Sequence, residues 1–336
     1  MQKIHSRPYR QQGVALITIM LIFTIVTVMV TSAVSRGSLD IRRTSFLLSD
    51  SQAFEYALGG EALARQWLYE DLMGENRQPH DHTGERWYQA NVFEPELGRI
   101  RLVIRDMESR FNLNNLVDSE GKTNSEALAT LRNLLNELQL NPDLAIQLAD
   151  WIDSNQNPQT FDSEDTHFLG QEPAYRSADQ HIADTSELLS LGRLTKTEWQ
   201  TLEPFITSVK ATTLINPNTA SATILSSLNS KLDGSKVVNE RESKESGFTT
   251  VEEFMAADST AGVELKAETF SVTSEYFEVW THASFTERNL YLRSQLHRDR
   301  TSGTITLLGR SLQRPPKLIR ERLQQLDSQV SDSTET

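Results

Sequence analysis

The feature that most constrains this chain is an uninterrupted apolar stretch near its N-terminus. Val14 to Val34 is a run of 21 residues without a charged side chain, preceded by Lys3, Arg7 and Arg10. As a helix this run spans about 30 Å, the thickness of the hydrocarbon core of a bilayer. All 46 acidic residues follow Arg36, whereas the leader is basic, so the positive-inside rule predicts a cytoplasmic N-terminus and an exported C-terminal bulk. The sequence therefore predicts a single-pass membrane segment at residues 14–35.

Three alternatives remain for the processing of this segment. Thr31-Ser32-Ala33 would suit cleavage of a secretory signal, although the apolar run is longer than usual for one. An uncleaved signal anchor is the second alternative. The third depends on Gly13, a small residue between the basic leader and the apolar run. A prepilin peptidase cuts at such a boundary and leaves the whole helix, beginning at Val14, on the mature protein.

The helix is predicted to continue far beyond the membrane. No proline occurs between residues 9 and 78, so nothing forces the helix to stop at the bilayer surface. Small and apolar residues recur at helical spacing in the second half, namely Ala53, Tyr56, Ala57, Gly60, Ala64, Trp67 and Leu68. We expect one helix from about Val14 to Met73, with its second half packed on a soluble domain.

Strand patterns occur at both ends of the soluble region and helical patterns lie between them. Alternating sequence appears at Arg99–Arg105 and returns at 270–285, 290–297 and 304–312. Between them, six segments read as helices: 126–140, 142–152, 187–191, 198–205, 219–228 and 250–256. The predicted fold is α+β, a long N-terminal helix packed on an antiparallel sheet interrupted by a large all-α insertion. The predicted boundaries are 1–13 for the leader, 36–110 plus 266–313 for the α/β domain, 111–265 for the insertion and 314–336 for a disordered polar tail.

The loops are expected to be solvated. Asn229–Gly247 is rich in Ser, Lys and Glu, and the loop 74–85 contains His80-Asp81-His82. Two histidines two residues apart could hold a metal, but a polar loop without a further histidine favours a solvent-exposed segment. We predict both segments to be exposed.

The most specific chemical feature of the sequence is a cluster of acidic residues. Asp150 to Glu187 contains nine acidic residues and one basic residue, Arg176. So much like charge in a folded loop is unfavourable unless water or a cation screens it. Asp153, Asn155 and Glu164 occupy positions 1, 3 and 12 of a calcium-loop spacing, although Pro158 stands where that loop requires glycine. We predict a structural calcium site of unusual geometry, with Asp165 and Asp179 as further candidate ligands.

Composition and motifs exclude several classes of function. The chain of 336 residues has no cysteine, which rules out disulfides, zinc–thiolate sites and cysteine nucleophiles. Its net charge of −13 disfavours binding to nucleic acid. The motifs of serine hydrolases, zinc proteases and nucleotide-binding loops are absent, so we predict that the protein is not an enzyme. A signal-anchored periplasmic calcium-binding protein or hydrolase is the alternative.

The order of several motifs resembles one family. They are Gly13 before the apolar helix, Phe111-Asn112-Leu113-Asn114, Asp150-Trp151-Ile152-Asp153, Glu164-Asp165, Pro173-Ala174-Tyr175-Arg176, Asn216-Pro217-Asn218-Thr219-Ala220 and Gly247-Phe248. Over nearly the whole chain they are similar to the K-type minor pseudopilin of type II secretion. The resemblance implies cleavage after Gly13, N-methylation of Val14 and a pilin-like fold with a calcium-binding helical insertion. The family's calcium ligands correspond to Asp153, Asn155, Glu164, Asp165 and Asp179.

The resemblance also implies a place in an assembly. Family members form a trimer with the I-type and J-type minor pseudopilins at the tip of the pseudopilus, help to initiate its assembly and act in export across the outer membrane. The implied partners include other pseudopilins and the prepilin peptidase, and the implied location is the Gram-negative inner membrane with a periplasmic bulk. Most pilins carry glutamate at the fifth mature position, where this chain has Thr18. A subunit with no neighbour ahead of it would have no terminal amine for that charge to neutralise.

Overall fold

The computed structural model describes residues 12–75, 80–153, 169–170, 172 and 174–334. Its helices are α1 Gln12–Met73, α2 Ser125–Glu137, α3 Leu144–Ile152, α4 Lys196–Leu202, α5 Ala222–Leu228, α6 Gly234–Glu242, α7 Val251–Met255 and α8 Lys317–Thr334. The strands are β1 Asn91–Phe93, β2 Gly98–Asp106, β3 Phe111–Asn112, β4 Ile206–Thr207, β5 Tyr276–Phe285, β6 Arg288–Arg298 and β7 Ile305–Leu312. Short 3₁₀ turns lie at Leu113–Leu116, Thr185–Leu191, Glu203–Phe205, Asp258–Thr260 and Ala267–Thr269. The chain divides into two compact units, with the boundary after Gln52.

The main sheet has five strands in the order β1-β2-β5-β6-β7, with antiparallel neighbours throughout. β2 and β5 are adjacent in the sheet, as in the pair Arg105 and Glu278, although the insertion separates them in the chain. The predicted interruption of one antiparallel sheet by a helical insertion is therefore confirmed. The strand predicted from residue 270 begins only at Tyr276, because Phe270 belongs to the core of the insertion.

The second half of α1 covers the inner face of the sheet. Ala53, Ala57, Ala64 and Leu68 are fully buried, as the apolar stripe predicted. Gly60 allows a close approach, since a Cβ atom there would lie 2.6 Å from Thr281 Cγ2 on β5. The absence of a side chain at this position lets the helix axis approach the strand.

A buried glutamate attaches the same helix to the far strands. Glu61 is almost completely buried and accepts hydrogen bonds from Arg310 on β7 at 2.5 and 2.8 Å. It also accepts a hydrogen bond from the Ser294 hydroxyl on β6 at 2.7 Å and lies 2.7 Å from Arg65. Burial opposes ionisation of Glu61, but these partners hold its pKa below its usual range.

The outer face of the sheet is covered by α8, where the sequence predicted a disordered tail. Ile319 and Leu323 of α8 pack with Val103 and Trp280 of β2 and β5. The prediction of disorder for 314–336 was therefore wrong for this helix. Its apolar residues recur at helical spacing, but they stand among so many polar residues that composition alone suggested a solvated segment.

The insertion has its own core, which extends from Phe111 to Phe270 and includes residues of α2, α3, α5 and α6. Most predicted helices in this region are present with shifted ends, and 187–191 is a 3₁₀ turn beginning at Thr185. The prediction of a solvated loop at 229–247 was wrong, because α6 forms there and buries Val237 and Arg241. Arg241 Nη1 donates to the Pro217 carbonyl, 2.9 Å away, so its charge is accommodated inside the fold.

Candidate functional site

The apolar stretch of α1 is exposed along its whole length. Every large hydrophobic side chain from Val14 to Val34 is between 46% and 71% exposed. Of the helices in the described part of the chain, α1 alone is long and apolar enough to cross a membrane, with a mean hydropathy of 2.7 in its most apolar window. An exposed apolar surface of this kind requires lipid or another protein around it.

Threonine hydroxyls in this stretch are satisfied within the helix. Thr18 Oγ1 donates to the Val14 carbonyl at 2.8 Å, and Thr24, Thr27 and Thr31 make the same contact one turn back. The Thr18 hydroxyl therefore needs no hydrogen-bond partner outside its own helix. Gly13 lies in the first turn of α1, whereas the leader before Gln12 is outside the described residues, so cleavage after Gly13 stays a prediction.

Two of the five predicted calcium ligands are described, and both belong to the region around the end of α3. Asp153 caps the C-terminus of α3 and is fully buried, as is Asp150 one turn earlier. Thr123 donates its hydroxyl to Asp153 Oδ2 at 3.3 Å. Burial of two carboxylates at one helix end is costly unless they are paired or bound to a cation.

Asp179 returns to the same helix end. Its N–H donates to the Trp151 carbonyl at 3.1 Å, and its carboxylate accepts a hydrogen bond from Ser177 at 2.6 Å. Asp179 adopts a left-handed backbone with φ of 47°, which aspartate tolerates better than most residues. The structure thus brings Asp179 to the helix that ends at Asp153, while Asn155, Glu164 and Asp165 lie outside the described residues.

His80-Asp81-His82 is buried, so the prediction of a solvated loop was wrong. Asp81 accepts hydrogen bonds from Arg298 at 2.6 Å and from the Ser274 N–H at 2.6 Å, and its own N–H donates to the Val272 carbonyl. His80 Nε2 lies 2.9 Å from the Ser246 carbonyl. This segment joins α1, β6 and the insertion, which explains why a polar sequence is shielded from solvent.

A carboxylate cluster surrounds Arg298. One carboxylate oxygen from each of Asp71, Asp81 and Glu85 lies within 4.8 Å of the others. These groups could ligate a metal, but the Arg298 guanidinium already supplies a cation to Asp71 at 2.9 Å and to Asp81. Burial and the two neighbouring carboxylates raise the pKa of Glu85 to about 9, and burial with Asp81 raises that of Asp71 to about 6. Burial and the neighbouring carboxylates therefore favour the protonated form of Glu85.

A second charged network joins the insertion to the outer face of the sheet. Glu278 on β5 contacts Arg293 at 2.7 Å, Arg110 at 3.3 Å and Arg105 at 3.4 Å. Burial alone would raise the pKa of Glu278, but these three guanidinium groups hold it well below its usual range. Arg293 also pairs with Asp184 of the insertion. Neither network had a local sequence signal, because its members lie on strands and loops far apart in the chain.

The asparagine motifs are buried connectors within the insertion. Asn218 pairs with the backbone of Phe248 through both amide atoms, each at 2.8 Å. Asn114 pairs likewise with Ile182, donating to its carbonyl at 2.9 Å and accepting from its N–H at 2.8 Å. Gly247 has a φ of 69°, and a Cβ atom there would lie 2.6 Å from Asn218 Oδ1. These motifs therefore fix loop positions and leave no reactive group exposed.

An exposed apolar helix segment that is long enough to cross a membrane, together with a later segment of the same helix packed on an antiparallel sheet, defines a pilin-like protein. Two family models described as Type II secretion system (T2SS), protein K match residues 109–211 and 215–273. The chain is 34% identical over 315 residues to the type II secretion system protein K of Pseudomonas aeruginosa, covering 90% of this chain and 93% of the relative. The chain belongs to the type II secretion system protein K family and is a minor pseudopilin.

Other similarities agree with this assignment. The type II secretion system protein K of Klebsiella pneumoniae is 31% identical over 221 residues, which is 63% of this chain and 67% of that protein. Among solved structures, the GspK–GspI–GspJ complex of the enterotoxigenic Escherichia coli type 2 secretion system matches with a TM-score of 0.72 and 24% identity. That match covers 81% of this chain and all of the solved chain, and it supports the pilin-like fold with its insertion.

Proposed function

We propose that this minor pseudopilin occupies the tip of the pseudopilus, where it helps to start assembly and to export proteins across the outer membrane. The observation that carries the proposal is the attachment of the insertion to the outer face of the pilin sheet. Arg293 on β6 pairs with Asp184 of the insertion, and Arg105 Nη2 donates to the Pro204 carbonyl at 3.3 Å. A domain fixed there would have to fit between subunits at every position of a repeating filament, whereas the end of the filament leaves it room.

Thr18 supports the same placement. A glutamate at this position would need a neighbouring amine within the membrane, because an isolated charge there is costly. The Thr18 hydroxyl instead donates to Val14 of its own helix at 2.8 Å. A subunit without a neighbour ahead of it in the filament can therefore carry threonine at this position without burying an unpaired charge in the membrane.

We propose the I-type and J-type minor pseudopilins as direct partners, since the structurally similar K protein was solved in a complex with its GspI and GspJ. The test is co-expression of the full chain with both partners, extraction in detergent and affinity capture through the K-type subunit. We expect both partners to co-purify in equal amounts. Capture of this chain alone would overturn the proposed tip complex.

Processing by a prepilin peptidase is the second part of the proposal. Cleavage after Gly13 would leave Val14, N-methylated, as the first residue of a membrane helix with a cytoplasmic N-terminus and a periplasmic bulk in the inner membrane. N-terminal sequencing of the membrane-derived protein should start at Val14. A start at Met1 would indicate a simple anchor, and a start at Val34 would indicate a secretory signal.

A matched pair of variants sharpens this test. Gly13→Val should block processing because a branched side chain occupies the cleavage position. Gly37→Val changes a glycine that has open space around it and should be processed normally. Equal processing of both variants would contradict the assignment of Gly13.

We propose a structural calcium site in the insertion. Its ligands would be Asp153 and Asp179, which the structure describes, together with Asn155, Glu164 and Asp165, which lie outside the described residues. The convergence of Asp153 and Asp179 on the end of α3 supports a cation at this helix end. Carboxylate and amide oxygens are the ligands that calcium prefers. Calcium would hold the acidic segment between Asp153 and Asp179 against the insertion core, and the protein would act as a structural subunit and not as an enzyme.

A further inference from the structure

A cavity of about 570 Å³ lies between the insertion, the outer face of the sheet and the start of α8. Its walls come from three elements that are far apart in the chain, represented by Trp199 of α4, Arg293 of β6 and Leu318 of α8. The volume falls within the range of about 300–1,000 Å³ that is typical of ligand pockets. We call it the α4–α8 pocket.

The acidic side chains in the α4–α8 pocket already have partners. Glu278 is surrounded by guanidinium groups, Asp184 pairs with Arg293, and Glu203 lies 3.8 Å from Arg105. The inner end of the pocket is therefore close to charge balance. Its acids are not free to bind a cationic ligand.

Three other basic side chains that line the same pocket have no such partners. Within the described part of the chain, the side chains of Lys196, Arg314 and Arg320 form no ion pair, although all three line the pocket. Arg110, which also lines the pocket, is paired with Glu278, and its buried Nε has no hydrogen-bond partner. Lys196 and Arg314 are exposed and Arg320 is partly exposed, so these three cations are open to an acidic ligand, in a chain whose net charge is −13.

Apolar surface accompanies these charges. Leu189 and Leu318 line the pocket and are 45% and 44% exposed, and Trp199 beside them is half-buried. A small inorganic anion would contact the basic groups and leave this apolar surface in water. A peptide with carboxylates on either side of one apolar side chain would use both.

We propose that the α4–α8 pocket binds an acidic peptide segment of a partner protein. Carboxylates of the segment face Arg314, Arg320 and Lys196, and its apolar side chain packs on Trp199. This inference rests on the proposed function, because a subunit at the filament tip meets other polypeptides outside the membrane. It adds a specific surface and a specific chemistry to that role.

The experiment measures binding of a fluorescein-labelled peptide, SDLES, to the full chain in detergent by fluorescence anisotropy. We expect saturable binding that weakens when sodium chloride is raised from about 50 mM to about 300 mM, because salt screens exposed charges. The amide counterpart SNLQS should bind at least about tenfold more weakly. Equal binding of the two peptides would overturn the proposal.

A matched pair of double variants locates the site. Arg314→Gln/Arg320→Gln should weaken binding of SDLES about tenfold. Lys210→Gln/Lys231→Gln removes the same charge from exposed positions that do not line the pocket and should leave binding unchanged. Equal loss in both variants would show only non-specific attraction and would overturn the proposal.

Two further measurements separate the alternatives. Competition by inorganic phosphate at the same concentration as the peptide, or loss of binding to anionic phosphatidylglycerol vesicles in the Arg314/Arg320 variant, would overturn the choice of a peptide. Capture of the I-type and J-type subunits by the same variant should be unchanged. If capture persists but SDLES never binds, this inference fails while the tip function stands. Loss of capture would assign the pocket to subunit contact instead.

Discussion

Arg298 Nη2 lies 2.6 Å from each carboxylate oxygen of Asp81, and both side chains are shielded from solvent. Arg298 also donates to Asp71, to the Leu68 carbonyl at the end of α1 and to the Ser274 carbonyl before β5. One guanidinium group thus joins the long helix, the sheet and the loop that follows the helix. Its removal would leave two carboxylates buried without their cation.

We predict that Arg298→Met lowers the free energy of unfolding by about 3–5 kcal/mol, the usual cost of breaking a buried ion pair. Lys122→Met removes the exposed partner of Glu120 and should cost less than about 1 kcal/mol. Denaturant unfolding of the two variants followed by tryptophan fluorescence measures the difference. Similar losses would show that the burial of Arg298 has no energetic consequence.

The pKa of Glu85 predicts a pH-dependent stability. The folded state raises this pKa from 4.5 to about 9, so between these values the folded protein binds a proton that the unfolded chain does not. Stability should therefore fall as pH rises from about 5 to 9, by up to about 1.4 kcal/mol per pH unit. Asp71, with a pKa of about 6, contributes in the same direction at lower pH.

Glu85→Gln should flatten this dependence, because a neutral amide keeps an oxygen for the Trp87 Nε1–H and the His82 N–H without the charge. Glu96→Gln, at an exposed position, serves as the control and should retain the slope of the unmodified protein. The measurement is the midpoint of thermal unfolding at several pH values. An unchanged slope in Glu85→Gln would rule out Glu85 as the titrating group.

The contact at Gly60 gives a steric prediction. A Cβ atom at Gly60 meets Thr281 at 2.6 Å, so Gly60→Ala should destabilise the protein by about 1–3 kcal/mol. The adjacent Gly59→Ala meets nothing within 4 Å and should stabilise the helix by up to about 1 kcal/mol. Thr281→Ala in the Gly60→Ala background should recover part of the loss. Opposite signs for the two glycines in thermal unfolding are the diagnostic result.

The packing of α8 predicts that the C-terminal region contributes to stability. Leu323→Ala should cost about 2–4 kcal/mol because it leaves a cavity beside Trp280. Gln324→Ala, on the exposed side of the same helix, should change stability by less than about 0.5 kcal/mol. Limited proteolysis between Leu312 and Lys317 should accelerate only in Leu323→Ala. Equal proteolysis of both variants would indicate that α8 does not hold to the sheet.

The proposed calcium site predicts a response to chelation. A chelator should lower the melting temperature of the full chain, and added calcium should restore it. Asp153→Asn should reduce this response, whereas Asp143→Asn, which alters an exposed carboxylate with no capping hydrogen bond at the start of α3, should keep it. A metal-stripped protein that melts at the same temperature with and without calcium would remove the site.

Much of the architecture could be predicted from local sequence patterns. The extent of α1, its buried stripe and the strands on either side of a helical insertion follow from periodicity, which depends only on neighbouring residues. The predicted helix from Val14 to Met73 differs from α1 by two residues at its start. The motif at Asn216–Ala220 is visible in the sequence, but its structural role follows only from the hydrogen bond between the Asn218 side chain and the Phe248 backbone.

Other features depended on partners far away in the chain. Asp81 looks like a loop residue until Arg298 and Ser274, some two hundred positions later in the chain, bind its carboxylate. The sequence by itself determined the long helix, the strands and most helices of the insertion, because regular spacing of apolar side chains specifies a local conformation, but it missed α6 and α8, whose few apolar residues stand among polar ones. Only the tertiary structure decided which polar segments are buried and which cations stay unpaired, because burial of a charge depends on the partner that the fold brings to it.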